Sequence, residues 1–408
     1  MPYKVLYISY DGMTDPLGQS QVLPYLTALS KRGYAITVLS FEKRNRFAAE
    51  RKIIEKITSE ASITWVPLFF TAKPPILSKM YDRWHMRRKA FRLYKQEKFD
   101  IVHCRSYISA EVGLELKRKY GVKFLFDMRG FWADEKVDCG QWDQSKFIFR
   151  RIYRHYKKME KHFLLNADGI VSLTQAAKEV MLGKPEYKDL SILVIPCCAD
   201  LEHFDFNKIS AAETKTLKEE LGIPCNKKVI TYLGSLGGWY MTDEMFSFYK
   251  RLLMVEPELV MLILTKDEPT KVLEEAQVRG VQREKIFVRY ANRNELPGFL
   301  TVSDYSIFFI RPTFSKTASS PTKHAELMSM GIPVICNNIG DTGQIIETSG
   351  TGIVVKSFSD DAYDQAIKEL RTSSIPSKSN IRKAAFDYFD LKKGSENYAR
   401  LYKRILNE

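Results

Sequence analysis

The residue types best suited to chemistry stand close together in one stretch, which reads SPTKHAE over residues 320–326. Ser320 is a natural N-cap, and Pro321 fits the first turn of a helix that would begin there. The free N–H groups of such a helix start favour a bound phosphate, and Lys323 adds a full positive charge. Glu326 follows about one turn later, where its carboxylate can accept two hydrogen bonds from a vicinal diol such as a ribose. The stretch therefore predicts a site for a phosphate beside a sugar diol, although an ordinary capped helix with a surface Lys and Glu has the same pattern.

Two glycine-containing loops could approach the same kind of ligand. One covers residues 11–21 after the first predicted strand and contains Gly18, and the other covers residues 234–240. Glycine lets the backbone come close to a ligand, and in the second loop the amides could reach a diphosphate. The first loop lacks the spacing G-x-G-x-x-G, so it is not a dinucleotide fingerprint. A plain connecting loop and a tight turn with core aromatics are the alternatives.

A third constellation reads FDMRGFWADE over residues 126–135 and follows a predicted strand. Its carboxylates, guanidinium and indole suit a polar sugar with a flat apolar face. Asp127 is the candidate for orienting or deprotonating an acceptor hydroxyl, and His103 ends another strand at the same sheet edge. A structural Asp127–Arg129 pair and a structural histidine are the alternatives. The residues predicted to contact an acceptor are His103, Asp127, Arg129, Trp132 and Asp134.

The elements that must position these residues alternate between short β-branched runs and helical patterns, which is typical of parallel α/β layers. At 408 residues the chain is long enough for two domains. The predicted strands form two series, at residues 5–9, 35–39, 63–67, 101–104, 123–127, 169–173 and 192–195, and at residues 228–233, 260–264, 286–288, 305–309, 333–336 and 352–355. We expect each series to fill its own doubly wound, Rossmann-like sheet, with the linker within residues 202–212. Two such domains that face a central cleft would place their strand ends, where ligands bind, on that cleft.

Composition and charge narrow the class of protein. Hydrophobic residues make up 45% and charged residues 27%, which is typical of a globular chain. No apolar run is long enough to span a membrane, the strand-like run at residues 4–9 leaves no room for a signal peptide, and the six cysteines show no CxxC spacing. We therefore expect a cytoplasmic protein with reduced thiols.

The formal net charge of +14 is concentrated in two runs, residues 77–98 and residues 146–161, each with a net charge of +6. Aromatic and aliphatic residues are interleaved with the basic ones. Basic amphipathic helices of this kind suit an anionic bilayer surface, so we expect peripheral attachment to the inner face of the cell membrane. A solvated helix face with its apolar side in the core is the alternative. A basic nucleic-acid-binding protein is the alternative of another class, but no nucleic-acid motif is present and no nucleic acid is expected as a partner.

In order and spacing these motifs resemble glycosyltransferases of the GT-B fold, in particular glycosyltransferase family 4, over essentially the whole chain. The resemblance rests on the stretch SPTKHAE with GIPV at residues 331–334, on GSLG at 234–237, on ADGIVS at 167–172 and on IPCCADLEHF at 195–204. It implies an acceptor-binding domain at residues 1–205 and a nucleotide-sugar-binding domain at residues 206–386. A last helix, at residues 387–408, would return to the N-terminal domain.

The resemblance also implies roles for residues. Glu326 would bind the ribose hydroxyls, and Lys323 with the amides around Ser320 and Thr322 would neutralise the diphosphate leaving group. Two departures stand out, because Ala318 occupies the position eight before Glu326 where the family often has glutamate, and the Gly234 loop lacks the family's Arg and Lys. Arg311 and Lys316 could replace that charge or be solvated surface residues. The implied donor-binding residues are Gly18, Gly234, Ser235, Gly237, Arg311, Lys316, Ser320, Thr322, Lys323 and Glu326, and the catalytic ones are Asp127, Lys323 and Glu326.

The resulting expectation is an enzyme that moves a sugar from a UDP- or GDP-linked donor to a saccharide or lipid-linked saccharide in surface polysaccharide or glycolipid assembly. Negative charge builds on the departing phosphate as an oxocarbenium-like transition state forms, and fixed cations and amides lower that barrier. The resemblance implies retention of anomeric configuration. No D-x-D-type cluster is apparent, so we expect no metal and no cofactor beyond the nucleotide-sugar. A scaffold that has lost catalysis, suggested by Ala318, and a nucleotide-sugar epimerase are the alternatives.

Overall fold

The computed structural model describes residues 2–407, apart from the side chains of residues 75 and 76. It divides into two compact units. Unit 1 runs from the N-terminus to Pro196 and again from Leu391 to the C-terminus, and unit 2 covers Cys197–Asp390. The boundaries predicted after residues 205 and 386 therefore both lie within unit 2.

Unit 1 contains a seven-stranded parallel sheet with the order β3-β2-β1-β4-β5-β6-β7. Its inner strands are almost fully buried because helices cover parallel sheets on both faces, whereas its two edge strands are mostly half-buried. They are β1 (Lys4–Ser9), β2 (Ala35–Glu42), β3 (Thr64–Phe69), β4 (Ile101–Arg105), β5 (Lys123–Asp127), β6 (Gly169–Ser172) and β7 (Ile192–Val194). The helices before the boundary are α1 (Pro16–Gln21), α2 (Leu23–Ser30), α3 (Arg44–Glu60), α4 (Pro75–Glu97), α5 (Ser106–Tyr120), α6 (Trp132–Asp138), α7 (Phe147–Asn166) and α8 (Gln175–Leu182).

Unit 2 contains a six-stranded parallel sheet with the order β10-β9-β8-β11-β12-β13. The two strands β8 and β9 are buried at every position. The strands are β8 (Val229–Leu233), β9 (Val260–Leu264), β10 (Ile286–Arg289), β11 (Tyr305–Phe308), β12 (Val334–Asn337) and β13 (Gly352–Val355). The helices are α9 (Ala211–Glu220), α10 (Thr242–Val255), α11 (Pro269–Val278), α12 (Leu296–Leu300), α13 (Thr322–Ser329), α14 (Thr342–Ser349), α15 (Asp360–Thr372) and α16 (Lys378–Phe389).

The predicted fold of two parallel-sheet, Rossmann-like domains is confirmed, and each predicted strand is present, most of them with ends shifted by one or two residues. In both sheets the strand order reverses beside the first strand of the unit, so the loops that follow β1 and β8 stand where such sheets bind ligands.

The last helix, α17 (Leu391–Leu406), belongs to unit 1 and packs on α2 and β6. Its buried residues include Tyr398, Leu401, Tyr402 and Ile405, at the spacing of one helix face. Gly169 allows the close approach, because a Cβ at this position would lie 3.2 Å from a methyl carbon of Leu401. An aromatic-rich helix face thereby covers the sheet of unit 1.

Candidate functional site

The start of α13 differs from the prediction in one respect. The helix begins at Thr322, and Pro321 occupies the N-cap position without a side-chain capping bond. The Ser320 hydroxyl instead accepts a hydrogen bond from the backbone N–H of Cys197 at 3.0 Å. The prediction that Ser320 caps the helix is therefore wrong, because the extended Pro321 stands between Ser320 and the first turn. Placement of Ser320 and Thr322 beside a donor phosphate stays a prediction.

Lys323 is buried at this helix start, and its ammonium lies on aromatic rings. The Nζ atom is 3.5 Å from the ring centroid of Tyr240 and 4.4 Å from that of Tyr232. No hydrogen-bond acceptor for Nζ occurs among residues 2–407. Burial lowers the pKa of Lys323 to about 7, although Glu326 acts in the opposite direction. The charged and uncharged forms of the Lys323 side chain are therefore close in free energy near neutral pH.

Glu326 lies on the same helix and is 8% exposed. Its Oε1 is 3.7 Å from Nη1 of Arg293, which follows β10. Burial raises the pKa of Glu326, and the charges of Arg293 and Lys323 offset part of that rise. A buried carboxylate beside two cations can accept hydrogen bonds from paired hydroxyls, as the ribose prediction requires.

The loop after β8 is held mainly by its own hydrogen bonds. The Leu236 N–H donates to Asp267 at 2.7 Å, and the Gly237 N–H donates to the Thr242 hydroxyl at 2.8 Å. These two amides therefore shape the loop. The expectation that the loop's amides reach a diphosphate does not hold for them in this conformation, since each N–H already has an acceptor.

Gly234 and Ser235 lie at the part of this loop nearest Lys323. Gly234 has a φ of +112°, and a Cβ there would lie 3.0 Å from Nζ of Lys323. The Ser235 carbonyl accepts a hydrogen bond from the Tyr232 hydroxyl at 2.6 Å. The loop backbone, the tyrosine ring and the lysine thus form one packed group, and the positive φ of residue 234 favours glycine there.

The two basic residues proposed as replacements for the family's loop charges have different settings. Lys316 is 8% exposed, and its Nζ lies 3.9 Å from the ring centroid of Trp239. Arg311 is exposed, and its backbone N–H donates to the Trp239 carbonyl at 2.9 Å. Ala318 is buried at the end of a short 3-10 turn. Lys316 therefore reaches the loop after β8, whereas the position of the missing glutamate holds only a buried methyl group.

In unit 1, Gly18 lies in α1, after the loop that follows β1. A Cβ at Gly18 would overlap the carbonyl oxygen of Gly12, so the turn requires glycine. The loop is fixed by Glu42, which is fully buried at the end of β2 and accepts the N–H groups of Met13 and Thr14 at 2.8 and 3.1 Å. The Thr14 and Ser40 hydroxyls donate to the same carboxylate at 2.5 and 2.6 Å.

Asp127 ends β5 as predicted, whereas His103 lies in the middle of β4 (Ile101–Arg105) rather than at its end, and α17 covers both side chains. The Tyr398 hydroxyl donates to Oδ2 of Asp127 at 3.2 Å, and the Tyr402 hydroxyl lies 2.7 Å from Nδ1 of His103. Nε2 of His103 is 3.6 Å from Oδ2 of Asp127. Both predicted acceptor residues are almost fully buried, so in this conformation they serve the attachment of α17.

The charges of this cluster favour an ionised Asp127 beside a neutral His103. Burial raises the pKa of Asp127, but Arg129 and His103 outweigh it and bring the pKa below the usual value. Burial lowers the pKa of His103 despite the adjacent carboxylate. Arg129 has a φ of +58°, and its Nη1 is 3.8 Å from Oδ1 of Asp127. A low pKa makes Asp127 a weak base, and its role with an acceptor stays a prediction.

Trp132 and Asp134 lie on α6 and face α7 rather than the cluster. Asp134 accepts hydrogen bonds from the Tyr153 hydroxyl and the Lys157 ammonium, both at 2.8 Å. The Trp132 ring is 4.8 Å from that of Tyr156 and 5.4 Å from that of Trp142. Asp134 thus joins two helices, and the partly exposed Trp132 and Trp142 are the aromatic faces of this edge that remain accessible.

Two kinds of site are absent from the described part of the chain. Within residues 2–407 no group of three or more His, Cys, Asp or Glu side chains is arranged to hold a metal ion. Among the described helices, none combines the length and the apolar character needed to cross a membrane.

Comparison with known families accounts for both units. A model of Glycosyltransferase Family 4 matches residues 20–203, and a model of Glycosyl transferases group 1 matches residues 213–387. The chain belongs to the family 4-like glycosyltransferases. The predicted family and the predicted enzyme class are therefore confirmed.

Individual relatives of this glycosyltransferase are distant. A UDP-Gal:alpha-D-GlcNAc-diphosphoundecaprenol alpha-1,3-galactosyltransferase of Escherichia coli is 24% identical over 320 residues, 76% of this chain and 77% of that protein. A D-inositol 3-phosphate glycosyltransferase of Corynebacterium urealyticum is 24% identical over 67% of this chain and 63% of that protein. The crystal structure of Anabaena Alr3699/HepE in complex with UDP and glucose has a TM-score of 0.70 at 13% identity, covering 98% of this chain and 99% of that one. That likeness confirms the GT-B fold.

Sequence reasoning missed several residues that shape the sites of this glycosyltransferase. Three of them have a feature in the sequence that could have indicated a structural role. Glu42 is an acidic residue at the end of an apolar run, and Tyr398 and Tyr402 have the i, i+4 spacing of one helix face. No feature of the sequence indicates the role of Arg293, since its partner Glu326 lies on another element. Tyr240 is the last residue of the predicted glycine loop at 234–240, but its contact with Lys323 depends on the fold.

Proposed function

We propose that this glycosyltransferase binds a nucleotide-diphosphate sugar in unit 2 and transfers the sugar to a lipid-linked saccharide at an anionic membrane surface. The observation that carries the donor half is the pairing of a buried cation and a buried carboxylate on one turn of α13. Lys323 faces the glycine loop after β8, and Glu326 lies beside Arg293. The UDP complex of the Anabaena protein, which shares the fold, supports a nucleoside diphosphate as the ligand.

In this proposal the residues of unit 2 act on the leaving group. Glu326 would accept hydrogen bonds from the ribose hydroxyls and fix the nucleoside. Lys323 and the first amides of α13 would then face the diphosphate, whose negative charge grows as the glycosidic bond breaks. A cation that is already in place at that position lowers the barrier because it need not reorganise during the reaction.

We infer further that the reaction retains the anomeric configuration and needs no metal. Retention follows from the family resemblance, with the acceptor attacking on the face of the leaving group. The positive charge that a metal would supply to the diphosphate can come from Lys323, Lys316 and the start of α13. Product anomers resolved by NMR, and activity that survives EDTA, are the expected results; an inverted product or complete loss of activity with EDTA contradicts this inference.

The acceptor half of the proposal rests on an exposed apolar stripe on α4. Four residues at the spacing of one helix face point outward, and they are Leu77, Met80, Tyr81 and Trp84, with exposures of 63, 61, 50 and 48%. Lys79 and Arg88 are exposed beside them. Such a stripe in a basic surrounding has the chemistry that inserts into the headgroup region of anionic lipids. The diphosphoundecaprenol acceptor of the Escherichia coli relative supports a lipid-linked substrate.

A second exposed apolar pair lies at the start of α7. Phe147 and Ile148 are 63 and 62% exposed, and Arg150, Arg151 and Arg154 follow them on the surface. Both helices belong to unit 1, and Arg83 of α4 donates to the Tyr156 hydroxyl of α7 at 3.2 Å. The two basic helices therefore touch at this bond, and we call their exposed basic and apolar residues together the α4–α7 surface.

The donor half is tested by thermal shift with UDP-, GDP-, CMP- and ADP-sugars. We expect at least one nucleotide-sugar to raise Tm, since a ligand that binds only the folded state stabilises it. If none does, the donor proposal fails. Consumption of the nucleotide-sugar without an acceptor would instead favour the epimerase alternative, and binding without turnover on any acceptor would favour a scaffold that has lost catalysis.

The membrane half is tested by flotation with vesicles that contain anionic lipid. We expect the full chain to float at low salt, and the triple variant Leu77→Ser, Met80→Ser, Trp84→Ser to remain in solution. The matched control replaces exposed apolar residues of unit 2, Met254→Ser and Val278→Ser, and should float like the wild type. Equal flotation of all three proteins refutes the apolar stripe of α4 as the contact. A salt-sensitive DNA shift without nucleotide-sugar binding would favour the nucleic-acid alternative.

A further inference from the structure

Two consecutive aromatic residues of unit 2 each carry a lysine on their ring face. Trp239 and Tyr240 end the loop after β8, and they lie under the ammonium groups of Lys316 and Lys323 at centroid distances of 3.9 and 3.5 Å. The lysines come from different elements, a short 3-10 turn and α13. The four side chains thus form two neighbouring lysine–ring contacts, Lys316 on Trp239 and Lys323 on Tyr240.

The backbone around the two rings fixes their positions. The Tyr240 N–H donates to the Gly237 carbonyl at 3.0 Å, and residue 240 forms an antiparallel bridge with Ile310. The Arg311 N–H donates to the Trp239 carbonyl. The backbone of both residues is therefore tied to the segment just after β11 as well as to the loop, and both residues are partly buried.

A ring face differs from a carboxylate as a partner for an ammonium. It attracts the cation through its quadrupole but supplies no counter-charge, so at Lys323 the positive charge stays available to an anion. Around Lys323 the groups that face Nζ are the rings of Tyr232, Tyr240 and Phe308, with the Glu326 carboxylate as the charged neighbour on its own helix. Glu326 is in turn 3.7 Å from Arg293.

We propose that Trp239 and Tyr240 are positioning residues that hold Lys316 and Lys323 at the loop after β8, and that these two lysines provide the charge for the donor diphosphate that the loop itself lacks. The inference rests on the proposed donor site. It explains why the loop has two aromatic residues and no basic ones between Gly234 and Tyr240. Charge reaches the site from neighbouring elements and is oriented by the rings.

A consequence concerns protons. Because burial lowers the pKa of Lys323 to about 7, a large share of the protein holds this side chain uncharged at neutral pH. A diphosphate stabilises the charged form, so binding should draw protons from solvent onto Nζ, on average about half a proton per site at pH 7. A nucleoside without phosphates offers no such charge and should bind without proton uptake.

The test compares the affinities of UDP and GDP with those of uridine and guanosine by calorimetry. We expect Tyr240→Leu and Trp239→Leu each to lower the ratio of diphosphate to nucleoside affinity about tenfold, an effect of the size of one ion contact. The matched controls Tyr240→Phe and Trp239→Phe keep a ring and should stay within about twofold of the wild type. A purely structural role would weaken diphosphate and nucleoside alike and leave the ratio unchanged.

A second measurement follows the pH dependence of affinity in the wild type and in Lys323→Met, and it keeps the inference testable if a leucine variant does not fold. Diphosphate affinity should fall about tenfold per pH unit above pH 7, while nucleoside affinity stays flat, and Lys323→Met should abolish the slope. A flat diphosphate curve between pH 7 and 9, or an unchanged affinity ratio in the leucine variants, overturns the inference. Failure of the wild type to bind either diphosphate overturns the proposed donor site instead.

Discussion

The hydrogen bond between Tyr398 of α17 and Asp127 of β5 allows a direct test of what Asp127 does. Both residues are almost fully buried, and the hydroxyl donates to Oδ2 at 3.2 Å. A hydrogen bond to a charged group contributes about 1.5–3 kcal/mol, and the long separation places this one at the low end, about 1.5–2 kcal/mol. Unit 1 has about two hundred residues, so Tyr398→Phe should lower Tm by roughly 3–8 °C.

The assay is a double-mutant cycle with Tyr398→Phe, Asp127→Asn and the combined variant, followed by thermal unfolding and by transferase activity. If Asp127 mainly attaches α17, both single variants lose stability and their effects are non-additive by about 0.5 kcal/mol or more. Tyr120→Phe is the matched control, because its buried hydroxyl has no hydrogen-bond partner in the described chain and its loss should cost nothing.

The opposite pattern would refute this reasoning. If Asp127→Asn leaves Tm unchanged and lowers kcat, Asp127 acts on the acceptor, as the sequence predicts, and the contact with Tyr398 is incidental. Unchanged stability in Tyr398→Phe alone would show that the hydroxyl makes no net contribution.

Glu326→Ala should weaken binding of the stabilising nucleoside diphosphate about 10- to 100-fold, since one or two hydrogen bonds to a charged group are lost. Glu347→Ala is the control, because Glu347 lies in a surface ion pair with Lys356. Full affinity in Glu326→Ala would remove the ribose assignment. Burial lowers the pKa of His324 to about 3. Between about pH 3 and the usual pKa of histidine, the His324 side chain is therefore protonated in the unfolded chain and neutral in the folded chain. Stability should therefore fall as pH drops from about 6.5 toward 3, and His324→Phe should flatten the curve of Tm against pH; identical curves would contradict the assigned pKa. Glu42→Gln should lower the free energy of unfolding in urea by about 2–3 kcal/mol, because the amide NH₂ group would face N–H and O–H donors that now donate to the carboxylate. An unchanged unfolding midpoint would show that the loop after β1 does not depend on the Glu42 carboxylate.

Much of the fold was predictable because each strand carries its own signal. The strands predicted at 123–127 and 260–264 are β5 and β9 with unchanged bounds, since an apolar run between turn residues is sufficient to identify them. The start of α13 was less predictable. Ser320 has the chemistry of an N-cap, yet its hydroxyl bonds to Cys197, a partner 123 positions away.

The sequence by itself determined the family, the two parallel sheets and the short motif that contains Lys323 and Glu326. These depend on periodicity and spacing within a few residues, which one chain displays directly. Only the tertiary structure decided which polar groups are open to a ligand. Asp127 is covered by Tyr398, 271 residues later, and Lys323 lies on the ring of Tyr240 from another element. Such contacts form because buried polar groups must find partners wherever the fold brings them, and their sequence separation leaves no local trace.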